Sequence, residues 1–134
     1  MSGLIPYLRF DGQAREALDF YAEVFGGEAE LYTFGQFGRD DGDPAAIAHG
    51  ILTGPVELFA SDAGAGESAL RVDGLTFSLL GTADNATLTG WFEALAVGGE
   101  VIDPLQVRAW GDTDGVVRDR FGVPWLIGYE GADG

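Results

Sequence analysis

At 134 residues and 46% hydrophobic, the chain is sized for one domain with a sizeable core. The absence of cysteine excludes disulfides, thiolate catalysis and cysteine-ligated metals. A net charge of −15, from 22 acidic and 7 basic residues, argues against nucleic-acid and anionic-membrane partners; it favours solubility and would attract a cationic ligand.

No run of about 18 apolar residues is present, so no membrane span is expected. The start MSGLIPYLRF lacks the basic residues and apolar core of a signal peptide, and a cytoplasmic location is expected. Residues 4–10 read as a strand with an early proline. From Asp11 the pattern turns helical. Ala14, Ala17, Leu18, Tyr21, Val24 and Phe25 form one apolar stripe, with Asp11 placed to cap its start and Gly26-Gly27 to end it. Residues 28–34 read as a strand, and GQFGRDDGDPAA as a mobile loop in which Asp40 and Asp41 are solvated charges. AIAHGIL and VELFAS form a hairpin around Thr53-Gly54-Pro55, and DAGAGES is a second loop.

The pattern then restarts. Residues 75–80 form a strand, and Asp84-Asn85 caps a helix with the stripe Leu88, Trp91, Phe92, Leu95 and Ala96. GGEVID and LQVRAW follow, then WGDTDGVVRDRFGVPWLIGY as strand, turn and strand. Gly26-Gly27-Glu28 and Gly98-Gly99-Glu100 lie 72 residues apart (98 − 26), and at that offset Phe20 matches Phe92, Ala22 matches Ala94 and Leu8 matches Leu80. The shared order of strand, helix, GGE, strand and hairpin marks a repeat. The expected fold class is α+β, a single domain over residues 1–134 built from two βαβββ modules at about 4–62 and 73–130. One helix covers one face of each sheet. The other faces are expected to make the concave wall of a curved, incomplete barrel, the default place for a ligand.

The stretches PYLRFDGQAREALDFYAEVFGGE, AIAHGIL with VELFASDA, and AWGDTDGVVRDRFGVPWLIGY resemble the vicinal oxygen chelate superfamily, which includes glyoxalase I, bleomycin-resistance proteins and extradiol dioxygenases. The similarity is greatest to its PhnB-like branch and spans about residues 5–129. The resemblance implies a glyoxalase-like fold and a homodimer, since modules in this superfamily often pair across chains; a two-module chain can also close its own cavity. The resemblance also implies where a metal would be held. The first ligand position falls at Ile5, Pro6 or Tyr7, the second at Glu57 or Leu58, the third near Phe77 and the fourth at Leu126. At most one of these is a ligand, and a divalent metal needs three or more nitrogen or oxygen donors. Neither a metal nor a cofactor is therefore expected.

His49 is the only histidine, and strand alternation puts it on one side with Ile47 and Ile51. It reads as a core or pocket-wall residue with one hydrogen bond, as an acid–base or ligand-contacting group, or as a metal ligand. Leu8 and Phe10 are expected on the helix, leaving Tyr7 and Arg9 on the concave face. Arg9 would pair with an anionic ligand group or bridge to Glu57 or Asp119. Arg108 and Trp110 alternate on VRAWGD, with Trp110 at the pocket mouth and Trp91 in the core. Asp114 or Asp119 could serve as a base near the last hairpin. No nucleophile elbow, Walker loop or dinucleotide fingerprint is present.

Trp110, Leu126, Phe77, Tyr7 and Arg9 are expected to line one cavity where the metal site would have been, with His49 and Glu57 as further ligand contacts. The expected function is metal-independent binding of a small organic ligand, flat aromatic ones being favoured, for sequestration or sensing. The alternative is a lyase, isomerase or other small-molecule enzyme using acid–base catalysis or a degenerate metal site.

Overall fold

The computed structural model describes residues 3–131; the outermost residues of the expected 1–134 domain lie outside that range. The chain divides into two compact units, Met1–Arg71 and Val72–Gly134, and each holds an open four-stranded mixed sheet and one helix.

In the first unit the order is β1 (Tyr7–Phe10), α1 (Ala14–Phe25), β2 (Glu28–Thr33), β3 (Ile47–Thr53) and β4 (Leu58–Asp62). The strands lie in the order β1-β4-β3-β2, with β1 parallel to β4 and the other pairs antiparallel. Alternation assigns the faces. Leu8, Phe10, Leu52, Leu58 and Ala60 are buried, and α1 buries Ala14, Ala17, Leu18, Tyr21 and Phe25. The two elements meet closely at Gly50, where a Cβ would overlap Leu18. Burial of these apolar side chains supplies the main stabilisation of the unit.

The expected Asp11 cap is not what starts α1. The residue at the cap position is Gln13, which makes no side-chain cap bond. The first helical amide, Ala14 N–H, donates instead to the Asp62 carboxylate at 2.9 Å. The other oxygen of Asp62 accepts from Ile47 N–H at 2.9 Å, so one buried carboxylate fastens the helix start to β3 and β4. The helix ends as expected at Gly26, whose φ of 76° is left-handed. The loop after β2 is pinned. Phe34 is fully buried, the Arg39 guanidinium lies 4.3 Å from its ring centre, and Asp41 takes two hydrogen bonds from Arg39 at 2.9 and 2.6 Å. Asp41 is thus not a free solvated charge.

The second unit comprises β5 (Phe77–Leu80), α2 (Asn85–Ala96), β6 (Glu100–Val107), β7 (Thr113–Arg118) and β8 (Pro124–Tyr129), in the order β5-β8-β7-β6. Asp84 caps α2 as expected, accepting from Thr87 N–H at 2.8 Å. Leu88, Trp91, Phe92 and Leu95 are its buried residues. GGEVID and LQVRAW are not two segments. One edge strand runs through Pro104, which has no N–H, and its register slips between Asp103 and Gln106. That strand stops at Val107, so Arg108 and Trp110 lie in the turn rather than alternating on a strand.

The repeat is real at the helix ends and drifts elsewhere. The offset is 70 at the first strands (77 − 7), 71 at the helix starts (85 − 14) and 72 at the strands after GGE (100 − 28). Leu8 and Leu80 are accordingly not equivalent, the first 4% exposed and the second 53%. At the second glycine of each GGE the match is structural: a Cβ on Gly27 would overlap the Thr53 carbonyl, and one on Gly99 the Arg118 carbonyl.

Candidate functional site

The face of the first sheet that turns away from α1 carries Tyr7 and Arg9 on β1, Phe59 on β4, and His49 and Ile51 on β3. Tyr7 is in register with Phe59, and Phe59 with Ile51. The Tyr7 hydroxyl lies 3.1 Å from His49 Nδ1. Three rings cluster around that bond: Tyr7–His49 at 5.6 Å, Tyr7–Phe59 at 6.0 Å and His49–Phe59 at 5.3 Å between centroids. The Arg9 guanidinium sits 5.1 Å from the Tyr7 ring centre.

Chemically, the pair offers a relay. When the phenol donates to Nδ1, the imidazole proton is on Nε2, which remains a donor; when the imidazole is protonated, Nδ1 donates to the phenol oxygen. Arg9 is paired with Glu67 at 3.6 Å, and its side chain remains 48% exposed, which leaves guanidinium donors open to an anion. Its partner within the first unit is therefore Glu67 and not Glu57. Glu67 in turn accepts from Gly64 N–H at 2.7 Å and from Arg39 at 3.4 Å. Those contacts, the Gly64 bond first, hold its carboxyl below the ordinary value. Glu57 is half-buried immediately before β4, while its neighbour Leu58 is in the core.

The remaining predicted residues belong to the second unit. Phe77 is in register with Trp125 and packs edge-on against it at 5.4 Å, on the buried side of the sheet. Leu126 is on the opposite face, in register with Ser78 and Val116. Strand alternation thus separates Phe77 from Leu126, and the two do not line a common cavity. The face position next to Leu126 belongs to Ser78. Trp110 is 70% exposed in the β6–β7 turn and lines an open groove of about 900 Å³ with Leu80, Asp114 and Tyr129.

Neither candidate base near the hairpin is free. Asp114 accepts from Arg108 at 2.6 Å. Asp119 is buried and accepts from the amides of Phe121 and Val123 and from the Trp125 indole at 2.8, 3.1 and 2.9 Å. It builds the turn of the RFG segment.

Among the described residues no three His, Asp or Glu side chains come together in a metal-ligating group. The donor set does not fit the metal of the resembled enzymes: a phenol stands on β1, phenyl and leucine side chains on β5 and β8, and the single imidazole is engaged with the phenol.

The profile of the Glyoxalase/Bleomycin resistance protein/Dioxygenase superfamily matches residues 3–127. The chain belongs to this superfamily. It is 31% identical to protein YjdN of Escherichia coli (strain K12) over 139 residues, covering 92% of each chain. It is 32% identical to protein PA1353 of Pseudomonas aeruginosa, whose crystal structure superposes with a TM-score of 0.81 over 98% of this chain and 99% of that one. A PhnB protein of Bacillus cereus shares the fold at 20% identity, with a TM-score of 0.78 over 96% and 99% of the two chains. Superfamily membership carries the fold; chemistry depends on the side chains placed on it.

The sequence put Tyr7 and Arg9 on one face; it left the direction of His49 open, which the hydrogen bond to Tyr7 now gives, and it missed Phe59. The missing signal was register. VELFAS places Phe59 two residues after Glu57, and only the parallel pairing of β4 with β1 shows that it sits beside Tyr7.

Proposed function

We propose that this protein binds a small organic ligand on the Tyr7–Arg9–His49–Phe59 face without a metal ion, for sequestration or sensing. The supporting observation is the Tyr7–His49 hydrogen bond at 3.1 Å within a cluster of three rings. A flat ligand stacks on such rings. Arg9 orients an anionic or carbonyl group, and the phenol–imidazole pair supplies a donor or acceptor beside it.

Benzoate is a suitable probe, followed by amide NMR. Saturable shifts confined to residues of β1, β3 and β4 are expected, unchanged by EDTA. Arg9→Ala should weaken binding by about 1–3 kcal/mol, as for loss of a charge-assisted hydrogen bond. Binding that requires an added divalent metal, or shifts that avoid these strands, would refute the proposal.

The same hydrogen-bonded pair favours a second reading, an acid–base enzyme such as a lyase or isomerase. In that case His49→Gln abolishes turnover of a substrate while leaving its binding largely intact. A binding protein shows no turnover in either form.

A further inference from the structure

The groove of the second unit is a different kind of site. Its volume of about 900 Å³ falls in the range of small-molecule pockets, about 300–1,000 Å³. It lies between the end of β5, the start of α2 and the β6–β7 turn, and every residue lining it belongs to the second unit. Apolar and aromatic surface comes from Leu80, Trp110 and Tyr129, while carboxylates come from Asp112, Asp114 and Glu130. No arginine lines it.

The charges are not equivalent. Asp114 is neutralised by Arg108, which also binds Asp103 at 2.6 Å. Among the described residues the Asp112 carboxylate accepts only a long bond, 3.4 Å from Gly131 N–H. Glu130 is exposed and has no ionic partner among the described residues. Trp110, at 70% exposure, leaves its indole without a ring partner among the described residues, although burying so large an apolar surface would be favourable. An open indole face beside two uncompensated carboxylates has the complementarity of one ligand class, an organic ammonium. The cation rests on the ring, and carboxylates at the rim supply the counter-charge.

We infer that this groove is a binding site for an aromatic or alkyl ammonium ion, held by Trp110, Glu130 and Asp112. It is independent of the Tyr7–His49 face and does not rest on the function proposed for it. The position of Trp110 makes it testable by fluorescence. The other two tryptophans, Trp91 and Trp125, are 7% and 2% exposed, so a ligand added from solution quenches chiefly Trp110.

The probe is benzyltrimethylammonium, titrated at low salt beside its uncharged isostere neopentylbenzene and the anion benzenesulfonate. Saturable quenching by the cation is expected, at least tenfold tighter than by the isostere and absent for the anion. Raising the salt should weaken it. Calorimetry should show at least a fivefold loss of affinity in Trp110→Ala and a two- to fivefold loss in Glu130→Gln. Both side chains are on the surface, so both variants should keep the parent circular dichroism and melting temperature. Equal affinity for cation and isostere, no effect of Trp110→Ala by calorimetry, or amide shifts mapping to residues 7–62 instead of 80–131 would each overturn the inference.

Discussion

Asp62 accepts from two amides, one at the start of α1 and one at the start of β3, and removing its carboxylate strands both donors in the interior. Asp62→Ala should therefore destabilise the fold by about 2–4 kcal/mol, since an unsatisfied buried donor costs about 1–3 kcal/mol. Urea unfolding with an unchanged m-value would report it, and a loss below about 0.5 kcal/mol would mean that the amides find other partners. The contrast with Asp84 shows which interactions the sequence can reveal. Asp84 and Thr87 are three residues apart, and local spacing is enough to name that cap. Asp62 acts across 48 residues, and nothing near Ala14 announces it, so Asp11 takes its place in a sequence reading. Arg9 is a similar case, because Glu67 lies in a loop whose path no periodicity describes.

Among the elements, the helix-to-strand joints are the least tolerant parts of the fold. Gly27 and Gly99 bring the backbone against a carbonyl of the facing strand, and a methyl group has no room there. Gly27→Ala and Gly99→Ala should each cost about 1–3 kcal/mol, the range for forced overpacking. Gly90→Ala makes a contrast: a Cβ there meets open space on a helix, so no loss is expected. Thermal melts of the three variants would separate the cases, and equal melting temperatures would contradict the close approach. Strand existence and the two helices were legible because their apolar spacing is strong. The course of β6 was not, since Pro104 reads as a break and an edge strand accommodates it. The face of Phe77 was not legible either, because β5 begins two residues later than the apolar run and only pairing with β8 fixes its phase.

For the molecule as a whole, acid is the condition to which the electrostatics respond. Asp41 is held below its ordinary 3.8 first by Arg39, Asp84 below 3.8 first by Thr87, and Glu67 below its ordinary 4.5 first by the Gly64 amide. Each carboxyl ionises more readily folded than unfolded. Their contribution is thus complete above the unfolded values and lost as pH falls through the lower, folded ones. The melting temperature should hold steady from pH 7 to about 5 and decline below about 4. A melting temperature that rises between pH 5 and 3 would instead mean that relief of the overall negative charge outweighs these bonds. The resemblance to superfamily members that pair modules across chains leads us to expect a homodimer, which light scattering would register as twice the chain mass; a monomer at all micromolar concentrations would exclude it.

The remote cap of α1 also bears on how the protein is made. A ribosome delivers Ala14 long before Asp62, so the first turn of α1 stays open until β4 has emerged and paired. The second helix carries its own cap at Asp84 and can close its first turn as soon as Thr87 appears. Nascent chains stalled with residue 62 still inside the exit tunnel should therefore leave the first unit sensitive to protease, and release of a few more residues should protect it in one step.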